Sequence, residues 1–321
     1  MTFAATETPA PLTAAPDLYA VMGHPVAHSR SPAIHSRFAE LTGQHIAYEA
    51  CLLPLGGFAQ GVRDFIARGG RGCNVTVPFK HEAAQIATQR SARVALAGAA
   101  NTLLFTADGG IYADNTDGLG LVADITHNAG VALAGRDVLL VGAGGAAAGV
   151  LGPLLGAGVR RLTVANRTLA RAQALVQAHA DLASLLKVEL TAQTPQALEA
   201  DFDVVINATA SSLAGAEVPV PARVLRPGSL AYDMMYGPAA HGFLHWAQQH
   251  GARPRDGLGM LVEQAAESFA LWRGVRPPSA QVLAELQAQL QAESRAASPA
   301  SSPAASLVQA SAQPPAAVAK T

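Results

Sequence analysis

The sequence predicts an α/β protein of two domains, one of them built on a doubly wound parallel sheet. Three observations predict it. The 321 residues exceed what a single core of ordinary size needs. Short apolar runs alternate with segments of helical period along most of the chain. A glycine-rich turn, Gly142-Ala143-Gly144-Gly145-Ala146, directly follows the apolar run Val138 to Val141, as a strand, turn and helix of such a sheet require.

The elements follow in order. Residues 1–17, rich in Ala, Thr and Pro, predict a disordered tail without the large apolar side chains a core needs. Strands are expected at Leu18 to Met22, Ile46 to Leu52 and Gly72 to Val77, and a hairpin at Thr102 to Phe105 and Ile111 to Ala113 around Asp108-Gly109-Gly110. Ser31-Pro32 predicts an N-cap followed by proline at the first helical position, with Ile34, Phe38 and Leu41 on one face of the helix. Phe58, Val62, Phe65 and Ile66 mark a second helix. The second half predicts strands near Asp137 to Val141, Arg161 to Ala165, Leu186 to Leu190, Asp203 to Asn207 and Leu230 to Met234. Helices at about Leu258 to Arg273 and Ser279 to Glu293 close the pattern, and residues 295–321 form a second Ala/Ser/Pro tail.

Half of the chain is hydrophobic and only 14% is charged, against roughly 25% in an ordinary soluble protein. The stretch Val138 to Val159 carries no charge and is long enough to cross a bilayer. Its glycines at 142, 144, 145 and 149 would weaken any single helix, so a buried strand, a turn and a small-residue helix fit better. Lys plus Arg (22) and Asp plus Glu (23) nearly cancel, which leaves no global field for nucleic acid or anionic lipid and points to a small-molecule partner. The first basic residue is Arg30, so no signal peptide or transit segment is expected and the protein belongs in the cytoplasm. Two cysteines, Cys51 and Cys73, suggest neither a disulfide framework nor a metal site.

The glycine turn has the form of a dinucleotide site. Gly142 permits the tight turn, Gly144 lets backbone approach a pyrophosphate, and Ala147 stands where close helix packing tolerates alanine. Such proteins usually place a carboxylate after the second strand when the cofactor is NAD. Here the strand ends in Asn166-Arg167-Thr168, with Arg171 a turn later, and no acid is present. Guanidinium forks suit a 2′-phosphate, so NADP is the expected cofactor.

Polar residues gather at element ends in the first half. Ser29 and Ser31 follow the first strand, Asn74 and Thr76 are expected on one face of the third, Lys80 follows Pro78-Phe79, Asn101 precedes a strand, and Asp117 sits in Asp114-Asn115-Thr116-Asp117-Gly118. A shared crevice is expected.

These motifs resemble those of the shikimate dehydrogenase family. Tyr19 to Pro25, His28-Ser29-Arg30-Ser31-Pro32, Asn74 to Lys80, Gly98 to Thr102, Asp114 to Gly118, Asn166-Arg167-Thr168, Tyr232 to Tyr236, and Asp256 to Met260 with Gln264 occur in the family's order, over about residues 18 to 290. The resemblance implies NADPH-dependent reduction of 3-dehydroshikimate to shikimate, in the pathway to chorismate and aromatic amino acids. It implies that Ser29 and Ser31 hold the substrate carboxylate with Tyr236 beside them, and that Thr76, Lys80, Asn101, Asp117 and Gln264 hold the ring hydroxyls and reacting oxygen. On the cofactor side it points to Gly142, Ala143, Gly144, Gly145, Ala146, Asn166, Arg167, Thr168, Arg171, Met234 and Gly257. The implied architecture is a discontinuous α/β substrate domain, residues 18–117 completed by helices within 256–294, and a Rossmann-like NADP-binding domain, residues 118–255.

Residue chemistry is consistent with these roles. Hydride addition to a ketone creates an alkoxide, which needs a proton donor, and Lys80 with Asp117 can serve as a coupled pair. Ala147-Ala148 stands where relatives often carry Ser-Arg, and Ala92 where they often carry an acid. His28 is expected to be structural. A quinate/shikimate dehydrogenase with relaxed cofactor use and a non-catalytic NADP-binding regulator are the alternatives, and a homodimer is the assembly to test.

Overall fold

A computed structural model describes residues 15–209 and 218–297. Two six-stranded sheets carry the structure. The first contains β1 (Asp17–Gly23), β2 (Ile46–Leu52), β3 (Gly70–Val75), β4 (Gln89–Arg90), β5 (Thr102–Phe105) and β6 (Ile111–Asp114), in the order β2-β1-β3-β5-β6-β4. β1 runs parallel to β2 and β3, β5 is antiparallel to both β3 and β6, and β4 is parallel to β6. Between these strands lie α1 (Ser31–Thr42), α2 (Phe58–Ala67), α3 (Lys80–Ile86) and α4 (Ala92–Ala97). α1 buries Ile34 and Phe38, the residues its apolar spacing selects.

α5 (Asp117–Ala123) leaves the first sheet and continues as a π-helix, Asp124–Asn128. The second sheet contains β7 (Asp137–Val141), β8 (Arg161–Ala165), β9 (Glu189–Gln193), β10 (Phe202–Asn207), β11 (Leu225–Asp233) and β12 (Arg253–Arg255). It is wholly parallel, in the order β12-β11-β10-β7-β8-β9. The chain winds outward from β7 in both directions, so a crevice opens past the carboxyl ends of β7 and β10. β7 is buried on both faces: Val138 and Leu140 join one core cluster, Leu139 and Val141 the other. The helices are α6 (Gly145–Gly156), α7 (Leu169–Ala178), α8 (Ala180–Leu186), α9 (His241–Gln249), α10 (Leu258–Arg273) and α11 (Ser279–Ala297).

The charge-free stretch Val138 to Val159 is therefore β7, a turn and α6. Among the described residues no helix is long and apolar enough to cross a membrane. α5 lies between α6 and α10 at backbone distance: a Cβ on Gly118 would come 2.7 Å from the Gly149 carbonyl, and one on Gly120 would come 2.6 Å from the Gln264 amide. This close approach brings Asp117, at the start of α5, beside Gln264 in the middle of α10. Asp124 anchors the other end of the crossing. Its carboxylate accepts from Arg255 at 2.5 and 2.8 Å and from the Tyr232 hydroxyl at 2.7 Å. Burial and the Asp124 carboxylate push the Tyr232 phenol well above its ordinary range.

Several expectations shift. The strand expected at Leu186 to Leu190 begins at Glu189, because α8 occupies residues up to Leu186 and Lys187 closes it in the left-handed region at φ 56°. β3 ends at Val75, not Val77; Thr76 N instead donates to the Met22 carbonyl and the Val77 carbonyl accepts from His24 N. Ser31 is the first residue of α1 rather than its cap, which is Arg30. Asp17, placed in the first tail, opens β1, and α11 runs on to Ala297. The rest of both expected tails lies outside the described residues.

Candidate active site

Lys80 opens α3 just after the turn that leaves β3, and its Nζ donates to Asp117 Oδ2 at 2.5 Å. The two side chains are 23% and 9% exposed, so water screens their attraction only weakly. Asn101, entering β5, donates from Nδ2 to Asp117 Oδ1 at 2.8 Å and to Gln264 Oε1 at 3.2 Å. Both carboxylate oxygens of Asp117 are thus held. Thr116 N donates to Asn101 Oδ1 at 2.8 Å, and the Thr116 hydroxyl donates to the Gln264 carbonyl at 3.0 Å. Four of the expected substrate residues form one hydrogen-bonded cluster drawn from α3, α5, α10 and the entrance to β5.

A second polar layer lies beneath it. Asn74 donates from Nδ2 to Ser268 Oγ at 2.9 Å and accepts from the Tyr48 hydroxyl at 2.8 Å. Ser268 stands one helical turn after Gln264, so α10 aims both at the first sheet. His35 stacks on Tyr48 at 4.3 Å, with 5° between the rings. Burial drives the His35 imidazole down to about 3, opposed by the neighbouring Asn74, and neither ring nitrogen has a hydrogen-bond partner among the described residues. Burial also raises the Tyr48 phenol well above its ordinary value, with the Ser31 hydroxyl opposing.

Ser31 is buried and Ser29 half-buried, and Ser29 Oγ accepts from Ser31 N at 3.3 Å. Tyr236, following β11, reaches this segment from the second sheet: burial raises its phenol, the Arg30 guanidinium opposes and Asp256 adds to the rise. Thr76 is half-buried, its methyl against Gly23. It does not share a strand face with Asn74, since β3 has ended before it. His28 is exposed.

The second sheet offers a different surface. Gly142 has φ +113°, a conformation that side chains disfavour, and a Cβ there would meet the Ala208 carbonyl and the Thr209 methyl, each at 3.1 Å. Gly144 caps α6 with open space around it, and the first amides of this twelve-residue helix have no intrahelical acceptor. Past β8, Asn166 Nδ2 donates to the Thr168 carbonyl at 2.8 Å, shaping the turn. Arg167 and Arg171 are exposed and form no ion pair or side-chain hydrogen bond among the described residues. A dinucleotide carrying a third phosphate fits this arrangement: open amides at the turn, free guanidiniums past the adjacent strand. Gly257 is buried against the Met234 carbonyl, with no room for a Cβ, so these two expected cofactor residues touch each other.

Sequence reasoning passed over Asn207, Thr209 and Ser268. Asn207 ends β10 fully buried, opposite Val141 in the sheet, accepts from the Thr209 hydroxyl at 2.7 Å and donates to Asp233 at 3.1 Å. A polar residue closing an apolar strand next to the glycine turn was the available signal. Among the described residues no cluster of His, Cys, Asp and Glu could hold a metal ion. Both cysteines are free, and burial pushes the Cys51 thiol up to about 12.

Three family models match the chain: the shikimate dehydrogenase substrate binding domain over residues 21–103, shikimate/quinate 5-dehydrogenase over 124–217 and the shikimate 5′-dehydrogenase C-terminal domain over 257–287. The chain is 76% identical over 271 residues to the shikimate dehydrogenase (NADP(+)) of Verminephrobacter eiseniae, covering 84% of this chain and 94% of that one. It belongs to the shikimate dehydrogenase family. Among solved structures, an Ael1 enzyme from Pseudomonas putida matches with a TM-score of 0.78 and 46% identity, over 84% of this chain and 98% of that one. The shikimate 5-dehydrogenase of Thermus thermophilus, in complex with NADP(H) and shikimate, matches with a TM-score of 0.72 and 32% identity, over 85% of this chain and 99% of that one. Within the family fold, the clustered polar residues lie on α3, α5, α10 and the entrance to β5, and the glycine turn follows β7 of the second sheet.

Proposed function

We propose that this member of the shikimate dehydrogenase family interconverts 3-dehydroshikimate and shikimate with NADPH, supplying the route to chorismate and aromatic amino acids. The observation that carries this reading is the Lys80–Asp117 pair, held at 2.5 Å and braced by Asn101 and Gln264. Such a pair suits proton transfer, a step that a non-catalytic cofactor-binding protein does not perform.

NADPH, when bound, supplies the hydride. Gly142 to Ala146 would hold its pyrophosphate, Asn166, Arg167, Thr168 and Arg171 would take its 2′-phosphate end, and Met234 and Gly257 would complete its site. Ser29, Ser31 and Tyr236 bind the substrate carboxylate, and Thr76, Asn101 and Gln264 orient the ring hydroxyls. Lys80 Nζ gives its proton to the oxygen of the reduced carbonyl, and Asp117 keeps the ammonium aimed at that oxygen. In the reverse direction Lys80 takes the proton back.

The division of labour follows the sheets. Residues 18–117 with the helices in 256–294 form the substrate domain, and residues 118–255 the cofactor domain. The partners are small molecules, the compartment is the cytoplasm, and light scattering on the purified protein tests for a homodimer. The test of function is turnover of shikimate or quinate with NADP⁺ or NAD⁺, followed by absorbance of the reduced nicotinamide. Shikimate with NADP⁺ is expected to be the best pair. No turnover with any pair would remove the activity.

A further inference from the structure

We infer that His81 is a cofactor contact, an imidazole carried by the first sheet that closes on the phosphate turn of the second; this rests on the NADP reading above. His81 follows Lys80 on α3 and is exposed. Its Nδ1 lies 2.8 Å from the Gly98 carbonyl oxygen. A carbonyl only accepts, so Nδ1 carries the hydrogen. The other ring nitrogen crosses toward α6: Nε2 lies 3.5 Å from where a Cβ on Gly145 would sit. Gly145 is the first residue of α6, so Nε2 stands beside the amides assigned to the pyrophosphate. Ala146, Ala147 and Ala148 follow with no polar side chain, so the first turn of α6 supplies no side-chain donor of its own and His81 stands beside it.

With Nδ1–H committed to Gly98, a neutral ring offers a phosphate oxygen only a lone pair at Nε2. A protonated ring offers an N–H and a positive charge. The ring thus stands where a phosphate oxygen of the cofactor would meet Nε2, opposite the Nδ1–H held by Gly98. The charged neighbours have other partners or stand apart. On α3, Lys80 is paired with Asp117 and Glu82 is the only acid. On α2, which packs on α3, Asp64 and Arg63 both bond Gln60. On β6, Asp114 is held by Arg93 of α4 and by Ser91. The start of α6 carries no ionisable side chain.

NADP⁺ is titrated into the intact protein and the dissociation constant read by protein fluorescence. The wild type is compared with His81→Ala and His81→Gln under the same conditions. His81→Ala is expected to bind roughly tenfold more weakly. His81→Gln, whose amide can still donate, is expected to keep most of the wild-type affinity. Shikimate affinity stays at the wild-type value in both variants, which a general distortion of α3 would not allow. Equal NADP⁺ affinity for wild type and His81→Ala overturns the inference and leaves the family activity standing. A wild type that does not bind NADP⁺ overturns the cofactor reading beneath it.

Discussion

The two sheets carry unlike sets of polar groups, one in each half of the candidate site. At the edge of the first, the polar groups are satisfied before any ligand arrives: Lys80 by Asp117, Asp117 by Asn101, and Asn74 by Ser268. At the carboxyl edge of the second, the α6 amides, Arg167 and Arg171 face solvent with no protein partner among the described residues. The difference matches the chemistry asked of each. A proton donor must already be aimed when charge develops on the reacting oxygen, because reorganising dipoles at that moment costs rate. A phosphate site needs only donors that water can leave.

Substitutions can break this contrast, starting with the largest effect. Lys80→Ala should lower kcat by about 10² to 10⁴, the usual range for a lost general acid, while NADP⁺ affinity in a binding titration stays at the wild-type value. Parallel losses in both would mean that the halves are not separable. Arg255→Ala attacks the crossing between the sheets by leaving the Asp124 carboxylate buried without its cation. Urea unfolding should show about 3 kcal/mol less stability, in line with other broken buried pairs.

The preformed half also predicts an acid liability. The His35 imidazole is held at about 3 in the fold, against an unfolded value of 6.5. Between those values the unfolded chain binds more protons, so His35's contribution is complete above pH 6.5 and is lost progressively as pH falls toward 3. At pH 5 the loss is about 2 kcal/mol by the one-unit conversion. Chemical denaturation of His35→Phe across this range should give a flatter pH profile, and an unchanged slope would show that His35 is not its source. The smallest effect is on the open half: Arg167→Ala should raise the KM for NADPH roughly tenfold through one lost charge-assisted contact and leave KM for NADH nearly unchanged.

The elements of the second sheet were legible because their signals are local. A buried strand, glycines in the turn and arginines after the next strand lie within one contiguous βαβ segment, and α10 starts and stops where its periodicity says. The second polar layer was not legible in full, since Ser268 meets Asn74 across 194 positions of chain and no local pattern announces it. The misplaced strand near Leu186 has a local cause: Leu185 and Leu186 look like strand residues but are exposed on the last turn of α8. Alternation past Val75 places Thr76 on a strand face, although the backbone there already bonds to the end of β1 as a loop. His81 needed the structure, because its significance lies in what stands across the cleft from it.

The most direct test of the whole account runs the reaction forward in one turnover. Protein loaded with NADPH is mixed with 3-dehydroshikimate, and the loss of nicotinamide absorbance is compared with the shikimate formed. The account predicts one shikimate for each NADPH oxidised, with both rates falling together in Lys80→Ala. Loss of NADPH without shikimate, or no loss at all, would contradict it.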